Sequence, residues 1–215
     1  MNVLRRKAAI LVTCAFALAT LGGVPAIAAS PGTGGPPPPP AIPRCVYQQD
    51  GTWTGGALSA MFPLYRWLNS TGSDDFVASA DCRVRSVEVL GMNQGCVPAS
   101  WTVTLYSWSW FGGPYEPIYT YTGPGTNIAP GYYDTYKMSF ESPTLTAGAS
   151  YWISVVGNEP KNCQYSSGWS WMTTTTLSGQ SGYYKSANPG SPCQAWTPVV
   201  VCNSPGSQGY VFKLD

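Results

Sequence analysis

Residues 144–157 read TLTAGASYWISVVG, and this stretch decides the fold class. Alternate residues of an extended chain point to opposite faces, and here both faces are largely apolar. Tyr151, Ile153 and Val155 share one face, and Trp152, Ser154 and Val156 share the other. Gly148 supplies a turn before the run and Gly157 ends it, which leaves a length typical of a strand. The sequence therefore predicts a strand in the middle of a sheet, covered on both faces.

The rest of the chain predicts about ten short strands separated by Gly and Pro turns, without a long helix. Residues 135–141 alternate most cleanly, with Tyr136, Met138 and Phe140 inward, so the other face of that strand should meet water. Residues 50–73 are expected to be irregular, with one helical turn near 64–68. The remaining predicted strands are 45–49, 82–90 with a β-bulge near Ser86, 101–107, 118–122, 168–173, 182–185, 195–201 and a closing strand with Tyr210, Phe212 and Leu214 inward. We expect an all-β, antiparallel sandwich of jelly-roll type.

The N-terminal residues predict export. Arg5, Arg6 and Lys7 precede a short apolar run, and Ala26-Ile27-Ala28 suits signal peptidase, so residues 1–28 are expected to be a signal peptide. The run is too short to span a membrane. Residues 29–43 form a Pro/Gly-rich linker with five consecutive prolines, and 44–215 form the sandwich domain. The mature protein is expected to be secreted, either extracellular or periplasmic.

Six cysteines remain once Cys14 leaves with the signal peptide, and an even number in an exported chain predicts three disulfides. Sequence alone cannot choose among the pairings that six cysteines allow. Proximity along the chain favours Cys82 with Cys96 and Cys193 with Cys202, which leaves Cys45 to pair with Cys163. A zinc site is not favoured, because the chain contains no CxxC pair and no histidine.

Four short motifs lie along the predicted strands: DDF at 74–76, LTAGASYWIS at 145–154, WSW at 169–171 and YVFKL at 210–214. This succession resembles a large group of secreted or surface-anchored bacterial β-sandwich proteins. Those proteins often have DDF near the start, L-x-A-G-x-x-Y-W-[IL]-S in the middle and W-x-W after it. The resemblance covers residues 45–215 and implies the fold, but most of the group has no known function. The six cysteines are an addition here, and no anchor helix follows Asp215, which suggests release from the cell surface.

Composition excludes several kinds of chemistry. Because the chain has no histidine, Ser-His-Asp and Cys-His catalysis are excluded. Oxidised cysteines cannot act as nucleophiles. A pair of carboxylates, as in glycoside hydrolysis, remains as an enzymatic alternative. Asp74 and Asp75 are adjacent and would point to opposite faces of a strand, so they are not a natural acid/base pair. We therefore expect a protein that is not an enzyme.

The charge of the mature chain argues against two classes of partner. Loss of the signal peptide leaves eight basic and ten acidic residues without a basic patch, so neither nucleic acid nor a membrane surface is an expected partner. No cofactor is expected apart from a candidate structural Ca²⁺, for which Asp74, Asp75 and Asp81 could supply oxygen ligands. The alternative is that these aspartates form turns and cap strands.

The aromatic residues give the one hint of function. Nine Trp and fourteen Tyr exceed what a core of this size needs, and several fall in predicted loops. Exposed aromatic faces can stack on sugar rings while polar neighbours bond the hydroxyls. The candidate platform comprises Trp108, Trp110, Phe111, Tyr115 and Trp53. The alternative is that the loops fold back and bury these five rings. Three other tryptophans, Trp152, Trp169 and Trp171, are assigned to the core.

These observations favour a secreted, non-catalytic β-sandwich module that binds carbohydrate or another extracellular or cell-surface polymer through loop aromatics. Two alternatives stay open. One is a structural or adhesive extracellular protein without a small ligand, and the other is a carboxylate-dependent, glycosidase-like enzyme. The sequence leaves the oligomeric state undetermined.

Overall fold

The computed structural model describes residues 40–110, 112–164, 167–203 and 205–215. The predicted signal peptide, most of the predicted linker and Phe111 lie outside the described residues. The described chain is all-β, as predicted. Its strands are β1 Tyr47–Gln49, β2 Trp53–Leu58, β3 Ala60–Met61, β4 Ser70–Val77, β5 Ser86–Asn93, β6 Ser100–Trp108, β7 Pro114–Gly123, β8 Thr126–Ala129, β9 Asp134–Ser139, β10 Ser150–Asn158, β11 Trp169–Thr174, β12 Tyr183–Ser186, β13 Thr197–Pro198, β14 Gly209–Tyr210 and β15 Phe212–Leu214.

The strands form two sheets. Sheet I has the order β1-β15-β5-β11-β14, with β2 on β11, β9 on β5 and β8 on β9. Sheet II has the order β13-β12-β4-β10-β6-β7, with β3 on β10. All pairings are antiparallel except that between β3 and β10. Two short helices complete the described chain, a 3-10 turn at Arg66–Leu68, as predicted, and α1 at Val199–Cys202.

Strand β10 lies inside sheet II, between β4 and β6, and is covered on both faces as predicted. Ile153 pairs with Asp74 on one neighbour and Leu105 on the other. Its inner face contributes Ile153 to the main core cluster. On its outer face Trp152 is fully buried and packs edge-on against Tyr183, with ring centroids 5.1 Å apart. The continuous apolar character of the stretch therefore reflects two separate packing partners.

The inner faces of the two sheets meet in one hydrophobic core. Trp169 and Trp171 are fully buried in it, as predicted, and so are the inward residues of the closing strand. The indole N–H of Trp171 donates to the Val211 carbonyl oxygen at 2.8 Å, because a buried donor needs a partner. Trp101 packs edge-on against Trp169, at 4.7 Å between centroids, and joins the two sheets.

Three local predictions were wrong. Residues 50–73 were expected to be irregular but contain β2, β3 and the start of β4. The sequence does not show β2 because Gly55 and Gly56, which pair with β11, have no side chains to give an alternating pattern. Residues 195–201 contain only the two-residue β13 before α1 begins. Among the described residues, no β-bulge lies near Ser86. Val84 and Val87 are both buried although they are an odd number of residues apart, because Val84 precedes β5, which begins at Ser86.

The three disulfides join Cys45 to Cys82, Cys96 to Cys163 and Cys193 to Cys202. The prediction was right for Cys193 with Cys202 and wrong for the other two pairs. Cys45 lies next to Cys82 because its amide donates to the carbonyl oxygen of Arg83. Cys96 lies instead in the turn between β5 and β6, near the chain that leaves β10. Three disulfides are typical of an oxidising, extracellular environment. Within the described chain, no helix is long and apolar enough to cross a bilayer.

Candidate functional site

The exposed aromatic rings fall into separate groups rather than one platform. The rings most open to solvent are Trp110 (91% exposed), Tyr132 (77%), Tyr115 (63%), Trp67 (54%) and Trp53 (45%). Trp110 and Tyr115 lie at the turn from β6 to β7 in sheet II, whereas Trp53 begins β2 in sheet I. Of the five predicted platform residues, Trp108, Trp110 and Tyr115 are therefore neighbours on one hairpin, and Trp53 belongs elsewhere.

The first group, which we call the hairpin tip, comprises Trp108, Trp110 and Tyr115. Strand β6 ends at Trp108 instead of continuing, so the two tryptophans are brought together by a turn. Their centroids are 5.3 Å apart with planes inclined at 68°. They therefore do not form one flat surface, and Trp108 supports an edge of the more exposed Trp110.

The glycines after this turn explain why the tip is held against the sheet. The Ser109 hydroxyl donates to the Gly112 carbonyl oxygen at 3.1 Å. Gly112 and Gly113 both have positive φ, of 74° and 76°, a region that favours glycine. A Cβ on Gly113 would also lie 2.9 Å from the Tyr183 ring. The hairpin tip is thus supported by the covered outer face of sheet II.

The second group surrounds an open cavity of about 240 Å³ on the outer face of sheet I. We call it the Trp53 groove. It is lined by Gln48, Asp50, Trp53, Glu88, Thr135 and Lys213, among others. These side chains alternate with core residues along their strands, as Glu88 does with Val87 and Val89, so they face away from the core.

A row of polar side chains crosses four strands of sheet I, and all of its members except Lys137 line the groove. Gln48 pairs with Lys213, Lys213 pairs with Glu88, and Glu88 pairs with Lys137. The Lys137 ammonium donates to Glu88 Oε1 at 2.9 Å, and the Lys213 ammonium lies 3.8 Å from Glu88 Oε2. Exposed pairs of this kind contribute little to stability, about 0 to 1 kcal/mol. The Lys213 side chain remains 47% exposed, so the row still reaches solvent.

Trp53 lines the groove and is supported by two tyrosines that lie outside the lining. Trp53 packs edge-on against Tyr133 at 5.1 Å, and Tyr133 packs edge-on against Tyr132 at 4.8 Å. The buried carboxylate of Asp134 holds the turn that carries both tyrosines. Its Oδ1 accepts hydrogen bonds from the Asn127 side chain at 2.8 Å and the Gly131 amide at 3.2 Å. The orientation of Trp53 is thus supported by a hydrogen-bonded turn.

The three candidate calcium ligands are not brought together. Asp74 points into the sandwich and accepts from the Gln49 side chain at 2.6 Å. Asp75 lies on the opposite face and accepts from the Gln180 amide at 2.9 Å. Asp81 is exposed and accepts from the Ala147 amide at 2.9 Å. Burial raises the pKa of Asp74 well above its ordinary value and also raises the pKa of Asp75.

One further carboxyl group lies near a disulfide. Glu159 is buried beside the sulfur atoms of Cys96 and Cys163, within 4.8 Å. Its Oε1 accepts from the Trp169 amide at 2.7 Å, and Oε2 has no hydrogen-bond partner among the described residues. Burial raises the pKa of Glu159 to about 7, although the hydrogen bond from Trp169 opposes this. Because the two sulfurs are bonded to each other, they are not thiolate ligands for a metal.

Sequence reasoning missed the polar row of the Trp53 groove. The alternation of β9 placed Lys137 on an outward face, but its partners on β5 and β15 depend on strand register. Comparison with known proteins adds nothing about the site, because no family model, curated protein or solved structure matches the chain.

Proposed function

We propose that this protein is a secreted, non-catalytic module that binds glycans or a related extracellular polymer through exposed aromatic rings. The observation that carries the proposal is Trp110, whose ring is 91% exposed on a hairpin supported by Trp108. A single exposed apolar residue would need no explanation. Here Trp110 packs against Trp108, and the exposed Tyr115 lies on the same hairpin, so that the hairpin carries several aromatic rings, as interaction surfaces often do.

The chemistry of sugars fits such a surface. The C–H faces of a pyranose ring are apolar and stack on an aromatic ring, while its hydroxyls need hydrogen-bonding partners. Ser107, Ser109 and Glu116 provide polar groups on the same hairpin. The cross-linked sandwich keeps these groups in place before a ligand arrives, which reduces the entropy lost on binding.

Export supports an extracellular target. The N-terminal segment has the charge, apolar run and small residues of a signal peptide, and three disulfides suit an oxidising compartment. A linker with five consecutive prolines would separate the domain from the N-terminus of the mature chain. The resemblance to secreted and surface-anchored β-sandwich proteins points in the same direction.

The two alternatives receive less support. A glycosidase needs a carboxylic acid of raised pKa beside its substrate. The carboxyl groups with raised pKa in the described chain are Asp74, Asp75 and Glu159, which line neither aromatic surface. An adhesive protein that joins copies through sheet edges would need a long free edge. The edge strand β7 contains Pro114 and Pro117, which lack amide donors, and the exposed edge strand β8 is only four residues long.

The test is a pull-down of the secreted domain on insoluble polysaccharides, followed by a glycan array. We expect the Trp108→Ala, Trp110→Ala double variant to bind at least about tenfold more weakly than wild type, a difference of about 1.4 kcal/mol. Trp67→Ala is the matched control, because Trp67 is an exposed tryptophan outside the hairpin tip. If wild type and the double variant behave alike on every glycan, the hairpin tip is not a glycan-binding surface.

A further inference from the structure

We infer that the Trp53 groove is a second glycan site, which holds an internal stretch of a neutral hexose polymer across the strands of sheet I. The inference rests on the proposed function and deepens it by naming the class of sugar and the surface that selects it. It depends on three features of the groove: its shape, the row of polar side chains, and the balance of charge.

The shape suits a chain rather than an enclosed small molecule. At about 240 Å³ the cavity is smaller than the roughly 300–1,000 Å³ of pockets that enclose a drug-sized ligand. It is also open along the sheet surface. An open groove of this size covers one or two sugar rings at its deepest part and leaves the neighbouring units in solvent.

The polar row has a spacing that matches a polysaccharide. Gln48, Lys213, Glu88 and Lys137 stand on four adjacent strands. Neighbouring strands are about 4.8 Å apart, so the row spans about 14 Å. One strand spacing is close to the length of one hexose unit in an extended chain. A chain lying across the strands would therefore meet one hydrogen-bonding side chain at each successive sugar.

The residues of the row complement hydroxyl groups. A sugar hydroxyl both donates and accepts, so it is best satisfied by a donor and an acceptor side by side. Glu88 accepts, the lysines on either side donate, and Gln48 does both. Hydrogen bonds to charged groups are the stronger ones, so Glu88 and Lys213 can fix the orientation of a sugar against Trp53.

The charge of the groove selects a neutral polymer. Asp50, Glu88 and Lys213 are the charged residues among those that line it, and Lys137 beside the lining adds a second positive charge, since it pairs with Glu88 at 2.9 Å. The two lysines together offset the two carboxylates. A groove without excess charge does not favour an acidic or a basic chain by long-range attraction. It instead offers an apolar wall, formed by Trp53, Leu90 and Val211, beside neutralised polar groups.

The experiment measures binding of soluble hexasaccharides by titration calorimetry. The neutral probes are cellohexaose and mannohexaose, and the acidic probe is hexagalacturonic acid. We expect at least one neutral probe to bind wild type more tightly than the acidic probe does. Trp53→Ala should weaken that binding at least about tenfold, and Glu88→Gln, which keeps the shape of the side chain, should weaken it about threefold.

Two controls separate this inference from the proposed function. Trp67→Ala should bind as wild type does, and thermal melting should show that each variant is folded.

If Trp110→Ala weakens binding but Trp53→Ala does not, the groove inference is overturned and the proposed function stands. Preference for the acidic probe overturns the groove inference alone. Absence of binding to every neutral probe at millimolar concentration also overturns it, and the pull-down then decides the proposed function independently. Release of reducing ends from a bound probe would contradict the non-catalytic proposal.

Discussion

The hairpin tip and the Trp53 groove place tryptophans on the surface in different ways. In both, an aromatic neighbour packs edge-on at a similar distance, 5.3 Å for Trp108 with Trp110 and 5.1 Å for Trp53 with Tyr133. The tip presents its ring on a turn, and Trp110 is 91% exposed. The groove presents its ring on a sheet face beside ion-paired side chains. A loop ring can meet many surfaces, whereas a ring beside a fixed polar row can discriminate between ligands.

The two regions also differ in what holds them. The tip depends on local features, namely a short turn and two glycines with positive φ. The groove depends on contacts that are distant in the chain, since Trp53 and Gln48 come from the start of the domain and Lys213 from its end. Perturbing the scaffold should therefore affect the groove more than the tip.

The largest expected effect comes from the disulfide next to the groove. Cys45 lies just before β1, which carries Gln48, and its bond to Cys82 closes a 37-residue separation. A Cys45→Ala, Cys82→Ala variant should lose about 2–4 kcal/mol of unfolding free energy. Thermal melting and urea denaturation measure this loss. Binding at the groove should weaken with it, while binding at the tip should not.

The matched control is the Cys193→Ala, Cys202→Ala variant. This disulfide spans a separation of only 9 residues, so its removal frees less chain entropy in the unfolded state. It should lower the melting temperature by less and leave the groove unaffected. Equal weakening of groove binding in the two variants would show that the groove does not depend specifically on the Cys45–Cys82 cross-link. An unchanged melt of wild type in reductant would argue against oxidised pairs altogether.

The contrast between local features and contacts distant in the chain also explains which parts of the fold could be predicted from the sequence. The strand β10 was predictable because its signal is local: a short run, apolar on both faces, bounded by glycines. The closing strand was predictable because Tyr210, Phe212 and Leu214 alternate with residues outside the main core. The contact between Trp108 and Trp110 does not come from such alternation, because β6 ends at Trp108 and a turn brings the two rings together.

The rest could not be predicted because it depends on register between distant segments. Lys137 meets Glu88 across a separation of 49 residues, and Cys96 meets Cys163 across 67. Proximity along the chain is a weak guide to such pairs, and it failed for two of the three disulfides. The glycine-rich strand β2 has too few side chains on its faces to show an alternating pattern, so Trp53 was grouped with the wrong partners.

A second prediction changes the stability of the scaffold without touching either surface. Burial raises the pKa of Glu159 from its ordinary 4.5 to about 7, so the folded state holds this proton more tightly than the unfolded state does. The resulting stabilisation is fully present below about pH 4.5 and is lost as the pH rises through about 7. It amounts to at most about 3 kcal/mol. Urea denaturation between pH 4 and pH 8 measures it.

The control for this titration is Glu159→Gln, which cannot ionise. Its oxygen can still accept from the Trp169 amide, so the variant should lack the part of the pH dependence that belongs to Glu159. The residual dependence has the same sign, because burial also raises the pKa of Asp74 and Asp75. Parallel stability curves for wild type and variant would contradict a raised pKa at Glu159.

The smallest expected effect is on the stability of the single tryptophan variants, and it tests the comparison most directly. Trp110→Ala should change the unfolding free energy by no more than about 0.5 kcal/mol, because the ring is almost wholly in solvent. Trp53→Ala should cost about 1 kcal/mol, because a half-buried ring loses its contact with Tyr133. Urea denaturation with equal m-values for the two variants makes the difference measurable. If Trp110→Ala were the more destabilising variant, the Trp110 ring would contribute more to folding stability than the Trp53 ring. The assignment of Trp110 to an exposed binding surface would then be contradicted.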